Sequence, residues 1–303
     1  MSVIVTLLTL ALAAQNAPAQ AGDPIELVKQ GRKLVADGRL DEGIALYDRA
    51  LAANPDLAEA HLASGIAFDL KLQFERARRH LSRALELAGA DDRPQVLSAL
   101  AVSYAFENKA REASTFYKRL LDAQTTTSDF AGAAATANAL GRVYLETNDL
   151  TEARRWYESG YEYARRQPDP ESPGAQMTLW EFRWLHARGR MAARAGRKDE
   201  AARLVDEARK LVASTPSLSN EAPTLQYLIG YAALYAKDYN TAIAALQTAD
   251  ARDPFVLALL AQAYQGKGDA PKAKETWERV LTSRAHSLQN AFARPKAMKA
   301  LGR

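Results

Sequence analysis

The chain has 303 residues, of which 48% are hydrophobic and 25% are charged, a composition typical of a soluble globular protein. The 40 Lys and Arg residues exceed the 36 Asp and Glu residues only slightly, so the net charge of +4 disfavours a protein that binds nucleic acid by charge. The chain contains no cysteine, which excludes disulfides, zinc–thiolate sites, redox motifs and cysteine nucleophiles.

Residues 1–21 differ in composition from the rest of the chain. They carry no charged side chain, and an apolar run extends from Val3 to Ala14. That run is too short for a transmembrane helix, which needs about 20 residues, and small-x-small patterns follow it. The segment predicts a signal peptide cleaved after Ala21, and hence an exported protein that is periplasmic, or secreted where there is no outer membrane. A buried N-terminal helix is the alternative, because no Lys or Arg precedes the apolar run.

From Gly31 onward, pairs of small residues recur twelve positions apart, and a large residue follows four positions after each pair. Small residues let two antiparallel helices approach closely, while large residues fill the space between successive helix pairs. Short breakers such as Asp37-Gly38 suit the turn between two helices. The spacing therefore predicts a series of helical hairpins. The pairs are Gly31 and Gly43, Gly65 and Ala77, Ala101 and Ala113, Gly141 and Ala153, Gly189 and Ala201, Gly230 and Ala242, and Ala261 and Ala273.

This pattern resembles the tetratricopeptide repeat, a 34-residue unit with the pattern W-x2-L-G-x2-Y, A-x3-F, A and P. The closest single match runs from Leu140-Gly141 through Tyr144 to Ala153 and Tyr157. The resemblance implies an all-α, right-handed superhelical solenoid of antiparallel helix pairs over residues 22–282. About seven repeats are expected, near residues 24–57, 58–91, 94–127, 134–167, 182–215, 223–253 and 254–282.

The last segment, residues 283–303, follows the seventh repeat. A solenoid needs its exposed end covered, so the segment is predicted to form a C-terminal capping helix. A basic extension that binds a partner is the alternative interpretation.

The sequence carries no catalytic or metal-binding motif. None of its four histidines lies in an H-E-x-x-H motif, and no G-x-S-x-G motif is present. Acidic pairs such as Asp199-Glu200 stand at the start of helices, where they complement the helix dipole. We therefore expect no enzymatic activity, no metal and no cofactor.

The resemblance implies that the first helix of each hairpin lines a concave groove. Tyr227, Tyr231 and Tyr235 are four residues apart, which places them on one helix face. Arg188 and Arg197 are expected outside the groove, and Trp184 is expected in the core, with Trp180 covering the preceding loop. The predicted binding residues of the groove are Arg142, Arg183, His186, Arg190, Arg194, Tyr227, Tyr231 and Tyr235.

Three interpretations of these groove residues are open. Guanidinium groups bind carboxylates through two hydrogen bonds, and tyrosines supply rigid contact area. The first interpretation is therefore a non-enzymatic scaffold or adaptor of the bacterial cell envelope that binds an acidic or carboxylate-ending protein segment. The second is a carrier or sensor of a small anionic ligand or cell-wall fragment on the Arg183–Arg194 face. The third is structural, with arginines paired to carboxylates and tyrosines packed on the next hairpin.

Overall fold

The computed structural model describes residues 22–166 and 174–303, which form 15 α-helices and one short 3-10 helix, with no strand among them. The predicted signal peptide lies outside the described residues. Within those residues, no helix combines the length and apolar character needed to cross a membrane.

Fourteen of the helices form seven hairpins, and each hairpin packs on the next. The all-α solenoid of helix pairs that the sequence predicts is confirmed. A 3-10 helix, Pro216–Glu221, lies between the fifth and sixth hairpins. The helix bounds are α1 Pro24–Ala36, α2 Leu40–Ala53, α3 Ala58–Leu70, α4 Phe74–Leu87, α5 Arg93–Phe106, α6 Ala110–Thr126, α7 Phe130–Glu146, α8 Leu150–Arg166, α9 Ala175–Arg194, α10 Lys198–Ser214, α11 Ala222–Ala236, α12 Tyr239–Thr248, α13 Pro254–Lys267 and α14 Ala270–Val280.

The small residues twelve positions apart are the contact points of the hairpins. In the second hairpin, a Cβ atom added to Gly65 would lie 2.5 Å from Leu81 Cγ and 3.0 Å from the carbonyl oxygen of Ala77. Ala77 and Leu81 are themselves fully buried. The two helix backbones therefore approach more closely than a side chain at Gly65 would allow, and Leu81 fills the space beside the contact.

All seven hairpin turns share one backbone design. Each contains a residue in the left-handed conformation, and the residue after it donates its N–H to the carbonyl five positions earlier. This bond closes the C-terminus of the first helix in the manner of a Schellman motif. Glycine adopts the conformation at low cost, whereas a side chain such as that of Leu72 does so at a penalty. The left-handed residues are Gly38, Leu72, Asn108, Asn148, Gly196, Lys237 and Gly268.

The C-terminal helix, α15 Leu288–Ala300, does more than cap the last repeat. It packs on α13 and α14, as a cap would, but it also contacts α5 and α7. Just before it, His286 Nε2 lies 2.8 Å from Oδ2 of Asp69, which is fully buried and accepts a second hydrogen bond from the Ser103 hydroxyl. The prediction of a cap is thus incomplete, because the segment also bridges the seventh hairpin to the second and third.

The close contact in the second hairpin can be tested by replacing Gly65 with alanine. We expect Gly65→Ala to lower the free energy of unfolding by roughly 1–2 kcal/mol, because overpacking outweighs the better helix propensity of alanine. Gly89→Ala is the matched control, since a Cβ atom there meets nothing within 4 Å. Urea unfolding of both variants measures the difference, and equal stabilities would contradict the close contact.

Candidate functional site

Seven of the eight predicted binding residues meet on the inner side of the solenoid. They come from α7, α9 and α11, the first helices of the fourth, fifth and sixth hairpins. We call this group the inner cluster, and its members are Arg142, His186, Arg190, Arg194, Tyr227, Tyr231 and Tyr235. Four further residues that were not predicted as binding residues belong to the same surroundings: Glu146, Tyr157, Phe255 and Lys296.

Arg190 lies at the centre of the inner cluster and is only 5% exposed. Its Nη2 donates to the Tyr157 hydroxyl at 3.0 Å, and its Nη1 donates to the Tyr227 hydroxyl at 3.4 Å. Burial opposes its charged form, but the surrounding tyrosine oxygens and the Glu146 carboxylate outweigh that effect and hold the pKa of Arg190 above its ordinary value. Arg190 is therefore a buried cation whose hydrogen bonds go to tyrosine hydroxyl groups and whose charge is favoured by the Glu146 carboxylate.

Arg194 is paired with a carboxylate instead. Its Nη1 lies 3.3 Å from Glu146 Oε2 and donates to the Tyr235 hydroxyl at 2.8 Å, while its Nη2 donates to the Glu146 carbonyl at 3.0 Å. Lys296 of α15 lies 3.9 Å from the same carboxylate. For Arg194 the structure thus matches the structural interpretation, in which an arginine is neutralised by a neighbouring acid.

The three tyrosines form one stripe, but most of it is packed. Tyr231 is fully buried and Tyr227 is 7% exposed. The ring centroids of Tyr231 and Tyr235 are 4.8 Å apart, and Tyr227 meets Phe255 of the seventh hairpin edge-on at 6.2 Å. Tyr227 and Tyr231 therefore join the core between hairpins. Tyr231 gives no free contact area to a partner, and Tyr227 offers only the small part that lines the adjoining cavity.

Arg142 has no carboxylate partner among the described residues. The centre of its guanidinium lies 4.5 Å from the Phe255 ring centroid, and its Nε and Nη2 atoms are buried without a hydrogen bond. His186, 6% exposed, also has its Nε2 atom buried without a partner. Burial and the charges of Arg190 and Arg142 hold the pKa of His186 well below its usual 6.5, so the imidazole is neutral at physiological pH.

A cavity of about 560 Å³ opens beside these residues, between the repeats and the C-terminal segment. We call it the inner chamber. Among the described residues that line it there is no Asp or Glu. A second cavity of about 580 Å³ adjoins it through Arg142, His186 and Arg190, and there Arg252 lies with Asp250 and Asp253. The side chains of the inner chamber that carry charge or hydrogen-bonding groups are Ser98, Tyr117, Asn138, Arg142, Tyr157, Arg183, His186, Arg190, Thr224, His286, Ser287 and Gln289.

Arg183, the eighth predicted residue, is exposed at the edge of the inner chamber. Its guanidinium lies 4.8 Å from the ring centroid of Trp180, and no ion pair holds it within the described part of the chain. Trp180 is 6% exposed whereas Trp184 is half-buried, the reverse of the expected order.

Arg188 and Arg197 line a separate depression with Arg154 and Arg155, away from the inner cluster. The prediction that these two arginines lie outside the groove agrees with this placement.

The low pKa of His186 predicts a specific loss of stability in acid. Below pH 6.5 the unfolded chain takes up a proton at this histidine while the folded chain does not, so stability is present above that pH and falls as the pH is lowered. One such proton contributes at most about 1.4 kcal/mol per pH unit. Unfolding in urea at pH 7, 6 and 5 should show a shallower decline for His186→Gln than for the wild type, and parallel declines would contradict the assignment.

Solved structures share the fold of this chain. The apo form of RapI is 12% identical with a TM-score of 0.59, and the match covers 92% of this chain and 98% of RapI. A tetratricopeptide repeat protein from Parabacteroides merdae is also 12% identical, with a TM-score of 0.54 and coverage of 92% and 97%. A putative kinesin light chain from Podosopora anserina with nearly identical TPR-like repeats is 18% identical, with a TM-score of 0.51 and coverage of 64% and 99%. No curated protein matches the chain.

The family is shown by the sequence of the repeats themselves. Residues 28–92, 134–167 and 186–256 match the tetratricopeptide repeat, and these ranges include more than half of the chain. Proteins built from this repeat are in general scaffolds for protein–protein interaction and not enzymes. The chain is a member of the tetratricopeptide repeat family.

Proposed function

We propose that the protein is an exported, non-enzymatic scaffold that binds an acidic segment of a protein partner on the inner side of its repeats. The main support for this proposal is that the inner cluster contains more positive than negative side chains. Among the described residues, Glu146 is the one carboxylate that forms an ion pair with a cation of the inner cluster. It pairs with Arg194 and also with the nearby Lys296. Within the described residues Arg142 and Arg190 form no ion pair, and Glu146, which favours the charge of both, already pairs with Arg194. An acidic ligand would add the negative charge that the site lacks.

The entry point for such a segment is the exposed edge marked by Arg183. This guanidinium is free of carboxylates in the described part of the chain and stacks on the buried Trp180, which holds it in place. Asn138 of α7 lines the same space and offers an amide group to it. A carboxylate that enters here would meet Arg183 first, and the buried Arg190 lies deeper.

The partner site can be tested by photo-crosslinking from the position of Arg183 in the whole protein. A photo-reactive residue at position 183 should capture an acidic protein segment from envelope extract, whereas the same residue at the exposed position Arg203 of α10 should not. Adding Asn138→Asp to the position-183 variant places a negative charge in the same space. Capture should fall several-fold, because the new carboxylate repels the carboxylates of the acidic partner segment. Equal capture from both positions would contradict the proposed surface.

Export is proposed on the composition of residues 1–21. Fractionation of cells that express either the full chain or residues 22–303 tests it. We expect the full chain in the envelope fraction and the shortened chain in the cytoplasm. The same distribution for both would contradict export without affecting the partner site.

A further inference from the structure

We infer that the inner chamber binds a small molecule carrying a carboxylate or phosphate group, with the segment His286–Gln289 as one wall of the site. The small anion would occupy the chamber itself, whereas the proposed protein segment would enter at the exposed edge marked by Arg183. The inference therefore goes beyond the proposed function and does not depend on a protein partner.

The first support is the charge of the lining. Three guanidinium groups, those of Arg142, Arg183 and Arg190, face the chamber, and the described lining residues include no carboxylate. Arg190 is buried, Arg142 is partly exposed and Arg183 is exposed. Arg142 and Arg190 repel each other, and the carboxylates that offset this repulsion, Glu146 and Asp253, are not part of the lining. Arg142 and Arg190 each lower the pKa of the neighbouring His186, which shows that their fields overlap. An oxyanion in the chamber would be attracted to both guanidinium groups and would offset the repulsion between them.

The second support is the set of unsatisfied polar atoms. Arg190 keeps its Nε buried without a hydrogen bond although both of its Nη atoms are bonded to tyrosine hydroxyls. Arg142 has two such nitrogens and His186 has one. Buried polar atoms are usually paired. These nitrogens lie beneath the surface of the chamber, on residues that line it, and leave the polar groups of the site incompletely satisfied. Carboxylate and phosphate oxygens are the natural partners of guanidinium groups.

The neutral part of the lining defines the rest of the ligand. Hydroxyl and amide groups stand around the cations, so a ligand with hydroxyl or amide substituents beside its anionic group is favoured over an apolar acid. The volume of about 560 Å³ lies in the ordinary range of small-molecule sites. These neutral groups belong to Ser98, Asn138, Thr224, Ser287 and Gln289.

The C-terminal segment favours a small occupant over a polypeptide. It lines the chamber together with the arginines, and it is held by the His286–Asp69 contact at one end and by the packing of α15 on α5 and α13. Because this held segment takes up part of the concave face, a small anion needs less room there than a polypeptide does. Such an anion would bridge Arg142 and Arg190 on the repeats to Ser287 and Gln289 on the wall.

The inference can be tested on residues 22–303 by calorimetry and thermal unfolding, with succinate and inorganic phosphate as probes. Succinamide serves as the neutral analogue of succinate. We expect one or both anions to bind and to raise the melting temperature, while succinamide does neither. The two anions separate a carboxylate site from a phosphate site. Hydrogen exchange at residues 286–289 should slow when the anion is bound, because the ligand contacts that wall.

The variant Arg142→Met removes the charge but keeps an unbranched side chain. We expect it to weaken anion binding by about 10- to 100-fold, the usual effect of losing a charged hydrogen bond. Without ligand it should unfold at the same or a higher temperature than the wild type, because it relieves the repulsion with Arg190. A purely structural Arg142 would show the opposite, a lower melting temperature and unchanged binding. Arg203→Met, on the exposed side of α10, is the matched control.

Binding of neither anion would overturn the inference, as would equal effects of succinate and succinamide. A third outcome separates it from the proposed function. If an acetylated triglutamate amide binds and the free anions do not, the chamber is not a small-molecule site, while the acidic protein segment gains support. If the anions bind and position 183 captures no protein, the small-anion site is supported and the proposed protein-partner site is contradicted.

Discussion

The close approach of two helices within each hairpin is the constraint from which the inner face follows. At Gly65 the helices are too near for a side chain, and Gly31 and Gly230 make the same contact with the second helix of their own hairpins. The spacing of twelve between small residues recurs in all seven hairpins. A contact without side chains between the backbones fixes the rotation of the first helix about its own axis. Because that rotation is shared, the same positions of successive first helices point inward. Arg142 and Arg190 thereby become neighbours although 48 residues separate them in the sequence.

Once the inward positions are brought together, the positive charges of their arginines oppose the stability of the fold. A single carboxylate, Glu146, is shared by Arg194 and Lys296, whereas Arg190 donates its hydrogen bonds to hydroxyl groups and Arg142 lies against an aromatic ring. Apolar residues would fill such a space at lower cost, since a buried charge without a counter-charge is among the most expensive features of a folded protein. Where local rules of stability are broken in a group of neighbouring residues, a binding role is the common physical reason.

The sequence predicts the repeats well because their packing needs small and large residues at fixed intervals. It predicts which residues face inward, but not how far each is covered, so Tyr231 was expected at a surface and is fully buried. Turns that use glycine are visible in the sequence, whereas the left-handed Leu72 carries no signal. The contact of His286 with Asp69 spans 217 residues, and no periodicity within the repeats encodes it.

The position of the C-terminal segment changes the shape of the surface that the concave face offers to a ligand. An open solenoid offers a continuous groove along which an extended chain can lie. Here α15 fills part of that groove, and its buried side chains, such as Phe292, pack as core residues do. What is left of the groove is a chamber with cationic walls and an exposed edge at Arg183. Recognition on the inner side is therefore confined to ligands that fit the chamber or reach it from that edge, which favours short or small anions over long extended peptides.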